Sequence, residues 1–444
     1  MIMLLMLTQA MTAFAAKDTK KDSDKEKDTL PKISAKAWVL VDLKSGAVLL
    51  ENDSEKEMYP ASTTKIVSYL VVADAIKNGE LSMDDYLTYT SEMQDVQDPD
   101  GSNIELKPGE KMTVYDLLSA MLIASGNDAA TLLAVSVGGD LKGFVKLMNE
   151  KAEELSMDGS HFQNPHGLTD ENHYTTAHDL ARAAREAMKD DDFRQIVGSK
   201  TLKIAPTNKT ESERYYINTN NLLSTLRYSK YYYDKATGIK TGHTDAAGSC
   251  LVASAKSGET ELICVVLKSE RSHEDAKALL EYGFSNFKEV TLVKGGTLLG
   301  EVGLKQAKGG ADHLRGVAAK NATALLKNTA DTEKIKVKLK YDEKTVYAPI
   351  KKGQKLGTAI YSYDGKTIGS VEIVAETSVQ RHMFGFLMSL GEAIWGSRIV
   401  RIIVYLIGIA ALLFVILIIY GFARAIKKSR SRKRRRGNYR PPMY

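Results

Sequence analysis

The chain has 444 residues, a length that suits about two or three domains, and its 43% hydrophobic and 26% charged residues are typical of globular proteins. The net charge of +6 is uneven, because residues 424–444 hold ten Lys or Arg and no acid, which leaves residues 1–423 at −4. The basic excess therefore belongs to a tail, which excludes a nucleic-acid-binding domain as its source, and we expect no nucleic-acid partner.

The N-terminus predicts export of the chain. Residues 1–16 are apolar and end in Ala13-Phe14-Ala15, a cleavage pattern of secretory signal peptides, although they lack the usual basic stretch. Residues 17–32 follow as a charged linker rich in Lys, Asp, Ser and Thr, for which we predict no packed core.

A strand hairpin and then a helix are predicted next. Residues 38–42 and 47–50 read as two largely buried strands joined by a turn. The helix is predicted over Pro60–Gly79, because proline suits the entry of a helix and glycine suits its end. Ser62 and Lys65 then lie one turn apart on one face of this helix.

The pair Ser62 and Lys65 predicts a nucleophile with its base in place. A serine in the first helical turn feels the positive end of the helix dipole, which favours a developing alkoxide. A lysine one turn on can take the hydroxyl proton, provided that burial or a second cation lowers its pKa. The pattern alone is weak, since Ser-x-x-Lys is expected about twice by chance and recurs at Ser285 to Lys288.

A second helix is predicted from Val114 to Ile123, with Thr113 as its N-cap. The polar triplet Ser125-Gly126-Asn127 interrupts it before a helical composition resumes. Such a triplet is either a plain turn or a turn that aims a hydroxyl and an amide into a cleft. Ser125 and Asn127 are therefore candidate site residues.

Four histidines lie close together in the next part of the sequence, which raises the question of a metal site. No His-x-x-x-His pair falls inside one predicted helix, and no cysteine or acidic triad joins them. We therefore expect no metal and no cofactor at these histidines, which are His161, His166, His173 and His178.

The segment Lys240-Thr241-Gly242-His243 precedes two predicted strands, 249–255 and 261–267, and a predicted amphipathic helix, 272–288. On an edge strand, this segment offers a cation, a hydroxyl and backbone N–H groups to the carboxylate of a bound peptide. The alternative is a Gly-rich strand end with an exposed lysine.

The C-terminal part of the chain predicts a small all-β domain and a membrane anchor. Alternating segments separated by glycine turns fill 289–377. Residues 378–401 suit an amphipathic segment along the membrane surface, and the uncharged stretch 402–423 matches one transmembrane helix. The denser basic cluster lies in the tail, 424–444, so the positive-inside rule places the C-terminus in the cytoplasm and residues 33–377 outside.

The three motifs Ser62-x-x-Lys65, Ser125-x-Asn127 and Lys240-Thr241-Gly242 occur in the order known from penicillin-binding proteins. With Asn164-Pro165-His166-Gly167-Leu168 between them, the chain resembles the low-molecular-mass penicillin-binding proteins, the serine-type D-alanyl-D-alanine carboxypeptidases. The resemblance implies a catalytic domain over residues 33–288 with an α+β (α/β) fold, in which helices flank an antiparallel sheet.

The resemblance also implies a role for each motif residue in acyl transfer. Ser62 attacks the peptide bond of a peptidoglycan stem peptide with Lys65 as base, and Ser125 relays the proton to the leaving D-alanine. Asn127 holds the peptide amide and Lys65, and Lys240 and Thr241 bind the terminal carboxylate. The backbone N–H groups of Ser62 and His243 form the oxyanion hole, and Gly242 lies between these residues in the substrate-binding strand. β-Lactam antibiotics are the implied covalent inhibitors.

Three alternatives remain open at this point. A class A-type β-lactamase needs a glutamate that activates the deacylating water, and Glu171 is the available candidate. A DD-endopeptidase would use the same residues on crosslinked peptides. A catalytically inactive wall-binding protein would need no complete set of motifs.

Overall fold

The computed structural model describes residues 29–96, 98, 101–382 and 398–436. The predicted signal peptide and most of the charged linker lie outside the described residues, as do most of the segment 378–401 and the end of the tail. The chain forms two compact units. The first holds the described residues up to Gly295 with Lys320–Lys338 and Ala359–Val371, and the second holds Gly296–Ala319, Leu339–Thr358 and the described residues from Glu372 onward.

The helices are α1 (Lys65–Lys77), α2 (Ser91–Asp95), α3 (Val114–Ser119), α4 (Asn127–Gly138), α5 (Leu141–Glu154), α6 (Ala177–Ala187), α7 (Asp191–Gly198), α8 (Ser272–Asn286) and α9 (Arg398–Arg436). The strands of the first unit up to Gly295 are β1 (Ala37–Asp42), β2 (Val48–Asn52), β3 (Tyr86–Thr88), β4 (Lys111–Thr113), β5 (Thr201–Ile204), β6 (Arg214–Ile217), β7 (Ala236–Thr244), β8 (Gly248–Ser257), β9 (Thr260–Ser269) and β10 (Phe287–Val293). The later strands are β11 (Leu298–Lys305), β12 (His313–Ala318), β13 (Ala322–Lys327), β14 (Lys336–Tyr341), β15 (Thr345–Tyr347), β16 (Lys355–Tyr363) and β17 (Lys366–Ala375).

The first unit is built around a five-stranded antiparallel sheet with the order β2-β1-β9-β8-β7. Every residue of β1 is buried, because both faces of the sheet are covered. Val39 and Val41 pack into the core shared with helices α1 and α3–α7, and Trp38 and Leu40 pack into a second core with α8. This arrangement confirms the predicted antiparallel sheet flanked by helices, and it leaves β7 at an edge.

Helix α1 runs through the middle of the larger core. Its residues Lys65–Val72 are all buried, so the helix is covered on all sides. Gly79 adopts a positive φ of 76° just after the helix, as expected for the residue that ends it.

The predicted helix from Val114 to Ile123 is split in two. The hydroxyl of Thr113 caps α3 by accepting from the Asp116 amide, as predicted. A π-turn over Ala120–Ala124 follows, and Ser125 then takes the left-handed conformation with φ of 65°. Periodicity in the sequence cannot distinguish this turn from a continuing α-helix, because the apolar run Ala120–Ala124 has no polar residue that marks a face.

Apart from one 3-10 turn, Thr332–Lys334, the regular structure between Phe287 and Ala375 consists of strands, which confirms the predicted all-β C-terminal domain. Four of its strands pair in the order β17-β12-β11-β15, antiparallel except for the parallel pair β11 and β15. At the end of the chain, the stretch Ile402–Arg424 of α9 is long and apolar enough to cross a bilayer. This stretch agrees with the span predicted at 402–423.

Candidate active site

Ser62 lies in a tight 3-10 turn, Ala61–Thr64, directly before α1. The residue before it, Ala61, has φ of 48°, a left-handed conformation that costs free energy for a residue with a Cβ atom. Gly167 packs against this turn so closely that a Cβ atom there would lie 1.9 Å from the Ala61 carbonyl oxygen. The surrounding chain therefore holds the serine in a strained and defined turn.

The Lys65 side chain is fully buried, and its amine is within hydrogen-bond distance of three oxygen atoms. Its Nζ lies 2.8 Å from Ser62 Oγ, 2.7 Å from Asn127 Oδ1 and 3.0 Å from the His166 carbonyl oxygen. Burial, reinforced by the charge of Lys240, holds the pKa of Lys65 well below its usual range.

The three partners of Lys65 suit a neutral amine, which has two hydrogens and one lone pair. The amide oxygen of Asn127 and the carbonyl oxygen of His166 can only accept, so they take the two N–H groups. The lone pair is then left for the hydroxyl of Ser62. This geometry allows Lys65 to remove the Ser62 proton.

The Ser125-Gly126-Asn127 triplet connects the π-turn to α4. Asn127 is fixed by its backbone N–H, which donates to the Ser102 carbonyl at 2.7 Å. Next to it, buried Asp128 accepts from the amides of Ile104 and Leu106. Ser125 is buried two residues before Asn127, but among the described residues no hydrogen bond joins its hydroxyl to Ser62 or Lys65.

The edge strand β7 brings the third motif to Ser62. A Cβ atom on Gly242 would lie 3.0 Å from the Ser62 amide nitrogen, so the strand contacts the serine turn directly. Lys240 is buried, its Nζ donates to the Thr241 carbonyl at 3.0 Å, and burial lowers its pKa to about 7. His243 follows with an exposed side chain whose Nδ1 lies 3.4 Å from Ser249 Oγ.

Two contacts of the site were missed in the sequence. The His166 carbonyl is a partner of Lys65, and the Thr241 hydroxyl donates to Thr219 Oγ1 at 2.7 Å. In the sequence, the loop of His166 stands out only through the resemblance carried by Asn164–Leu168. The stretch 218–221 gave one signal, a run of four polar residues beside a strand, which turns out to be largely buried.

The remaining sequence candidates do not join this cleft. The second Ser-x-x-Lys pair, Ser285 and Lys288, has both side chains exposed. Glu171 is exposed as well. Within the described residues, no group of three or more His, Cys, Asp or Glu is arranged to hold a metal ion.

Comparisons with known proteins agree with this geometry. Residues 23–271 match the family described as D-alanyl-D-alanine carboxypeptidase, and residues 287–381 match the C-terminal domain of penicillin-binding protein 5. The chain is 34% identical to D-alanyl-D-alanine carboxypeptidase DacF of Bacillus subtilis, over 86% of this chain and 94% of that protein. It is 32% identical to DacC of Escherichia coli, over 84% and 90% of the two chains.

A solved structure also matches the fold. Penicillin-binding protein 5 from Haemophilus influenzae superposes with a TM-score of 0.65 at 30% identity, covering 80% of this chain and 99% of that one. The family match spans more than half of the chain, and the relatives match almost over their full length. The chain therefore belongs to the D-alanyl-D-alanine carboxypeptidase family, the serine-type enzymes that include the low-molecular-mass penicillin-binding proteins.

Proposed function

We propose that this protein removes the terminal D-alanine from peptidoglycan stem pentapeptides through an acyl-enzyme on Ser62. The observation that supports this most is the position of Lys65, whose buried amine lies 2.8 Å from the Ser62 hydroxyl and is held by Asn127 and His166. A depressed pKa and a hydrogen-bonded hydroxyl are what a lysine base for a serine nucleophile requires.

In the acylation step, Lys65 takes the proton of Ser62 as Oγ bonds to the carbonyl carbon of the penultimate D-alanine. The backbone N–H groups of Ser62 and His243 donate to the oxygen that becomes negative. The C–N bond then breaks, and the leaving amine of the terminal D-alanine receives a proton through the hydroxyl of Ser125. Water attacks the resulting ester, which releases the shortened peptide and returns the proton to Ser62.

The terminal carboxylate of the substrate binds at β7. Lys240, with a pKa of about 7 before substrate binds, gains a proton more easily when a carboxylate lies beside it. The hydroxyl of Thr241, which contacts Thr219 Oγ1, becomes a second donor to the carboxylate when the Thr219 hydroxyl turns to donate to it. β-Lactam antibiotics carry a carboxylate and a strained amide in the same relation, so we propose that they acylate Ser62.

The alternatives have weaker support. Glu171, the candidate base for a class A-type β-lactamase, is exposed on the surface. A DD-endopeptidase would use the same cleft, but it would cleave crosslinked peptides and not the terminal D-alanine of a pentapeptide.

For localisation, we propose that the stretch Ile402–Arg424 anchors the protein in the cell membrane as a single span. The catalytic part then faces the extracytoplasmic side, and the basic tail lies in the cytoplasm next to anionic lipid.

The test of this function is the release of free D-alanine from a synthetic stem pentapeptide by the full chain in detergent. We expect release by the wild type and loss of at least about a thousandfold in Ser62→Ala. Ser285→Ala is the matched control, because it removes the serine of the exposed Ser-x-x-Lys pair, and it should leave the rate unchanged. Hydrolysis of a crosslinked dimer with an intact pentapeptide would favour the endopeptidase.

A further inference from the structure

His173 is a buried histidine that the reaction described above does not use. Its side chain lies between the turn that carries Ser62 and the loop that carries His166, and only 1% of the residue is exposed. Nε2 lies 2.9 Å from Thr64 Oγ1, and Nδ1 accepts from the Gln163 amide at 3.1 Å.

The hydrogen bonds fix the tautomer of this ring. The backbone N–H of Gln163 can only donate, so Nδ1 must carry the lone pair. The proton of the neutral ring is then on Nε2, which donates to the Thr64 hydroxyl. Burial lowers the pKa of His173 to about 4, against a smaller opposing effect of Asp170, so the ring is neutral at physiological pH.

Both partners of His173 are next to groups that hold Lys65. Thr64 is the residue directly before Lys65 and closes the 3-10 turn. Gln163 opens the loop whose His166 carbonyl accepts from Lys65 and whose Pro165 carbonyl accepts from Ser68. The imidazole therefore joins the Ser62 turn, which leads into Lys65, to the loop 163–168, whose carbonyl accepts from Lys65.

The ring itself has little freedom to move. Phe162 packs edge-on against it, with ring centres 5.5 Å apart and planes at 81°. Gly167 packs against the Thr64 hydroxyl that the ring contacts, since a Cβ atom on Gly167 would lie 2.9 Å from Thr64 Oγ1. A ring held in this way keeps Thr64 and Gln163 at a fixed distance from each other.

We propose that His173 is a positioning residue of the acylation step, which rests on the function proposed above. By bonding to Thr64 and Gln163, it sets the distance between the Ser62 turn and the His166 carbonyl, and so keeps the lone pair of Lys65 on the Ser62 hydroxyl. It does not contact the substrate or the reacting atoms.

Substitutions can remove either bond separately. In His173→Asn, the amide oxygen can replace Nδ1 as the acceptor for Gln163, but the bond to Thr64 is lost. In His173→Gln, the amide nitrogen can replace Nε2 as the donor to Thr64, but the Gln163 bond is lost. Thr64→Val removes the hydroxyl from the other side, and Thr64→Ser is the matched control that keeps it.

The experiment measures kcat and KM for D-alanine release by the full chain in detergent, with unfolding temperatures alongside. We expect kcat to fall about tenfold in His173→Asn and in Thr64→Val, while KM stays within about twofold because β7 is untouched. Thr64→Ser should retain wild-type kcat. The double variant His173→Asn/Thr64→Val should fall no further than either single variant, because both remove the same bond.

A second measurement does not depend on activity. Hydrogen–deuterium exchange of the segment 163–168 should speed up at least about tenfold in His173→Gln, which frees the Gln163 amide, and remain slow in Thr64→Ser. Wild-type kcat in folded Thr64→Val, or losses that multiply in the double variant, would overturn the proposal. If His173→Asn does not fold, Thr64→Val and Thr64→Ser decide the outcome, since both keep the histidine.

Failure of the two proposals can be told apart. A wild type that releases no D-alanine but shows the exchange difference would contradict the proposed function alone. A wild type that is active, with unchanged kcat in the folded variants, would contradict only the role of His173.

Discussion

Gly242 on β7 lies so close to Ser62 that a Cβ atom on it would stand 3.0 Å from the Ser62 amide nitrogen and 2.9 Å from the Pro60 carbonyl oxygen. Glycine is required at this position because the strand and the serine turn pack backbone to backbone. The contact brings the residue before His243 against the Ser62 amide, where the proposed function puts the oxyanion hole.

Gly242→Ala should therefore lower acylation of Ser62 by a fluorescent penicillin by about a hundredfold, because the added methyl group separates the two amides. The matched control is Gly198→Ala, whose Cβ atom would lie 3.2 Å from the Thr237 carbonyl oxygen at the other end of β7. This control should acylate within about twofold of the wild type. Equal rates in the two variants would contradict the role given to the Gly242 contact.

Thr219→Val should weaken substrate binding more than the chemical step. The Thr241 hydroxyl donates to Thr219 Oγ1 at 2.7 Å. When a carboxylate binds, Thr241 must donate to it instead, and the Thr219 hydroxyl can then turn to donate to Thr241 Oγ1. Valine cannot make this bond, so the Thr241 hydroxyl loses the partner that holds it toward the substrate. We expect KM for the pentapeptide to rise about tenfold with little change in kcat. Thr219→Ser keeps an oxygen at this position and should behave as the wild type; an unchanged KM in the valine variant would exclude this role.

Much of this arrangement could be predicted from the sequence, since Ser62, Lys65, Asn127 and Gly242 meet at one point as their motifs imply. The edge strand considered for the segment 240–243 is the position that β7 occupies in the sheet. The pair Ser62 and Lys65 depends on a local pattern within one turn, whereas the meeting of the three motifs is what the resemblance to penicillin-binding proteins implies.

The missed features depend on tertiary contacts. The His166 carbonyl reaches Lys65 across 101 positions of sequence, and a backbone oxygen leaves no trace in residue identity. Thr219 and His173 are ordinary polar residues in the sequence, and only the folded chain shows that both are held against the cleft. The left-handed Ser125 was likewise hidden, because serine has no strong preference for that conformation.

Lys240→Met should stabilise the protein while abolishing its activity. Burial lowers the pKa of Lys240 to about 7 from an ordinary 10.5, so between these two pH values the unfolded chain binds more protons than the folded one. The free energy of unfolding of the wild type therefore rises with pH between about 7 and 10.5. Burial of Lys240 destabilises the fold most below this range, where the lysine is charged in both states.

Without this lysine, the free energy of unfolding at pH 7 should increase by up to about 5 kcal/mol, because each unit of pKa depression corresponds to about 1.4 kcal/mol. Its rise between pH 7 and 10 should become flatter. Chemical denaturation of the wild type and the variant at several pH values measures both quantities. A variant that is less stable at pH 7, or that keeps the full slope, would contradict this account of Lys240.

The proposed membrane orientation can be tested with cysteine labelling, because the two native cysteines, Cys250 and Cys264, are buried and free. Ser431→Cys places a thiol in the basic tail, and Ser91→Cys places one on the exposed surface of the first unit. In intact spheroplasts, a membrane-impermeant maleimide should label Ser91→Cys and not Ser431→Cys. Labelling of the tail variant before lysis would reverse the proposed orientation.

The most direct test of the central claim is mass spectrometry of the full chain after incubation with a β-lactam, followed by peptide mapping of the adduct. We expect one covalent adduct, located on Ser62, which is lost in Ser62→Ala and retained in Ser285→Ala. An adduct on another residue, or none on a folded wild-type chain, would contradict the claim that Lys65 activates Ser62 as the nucleophile.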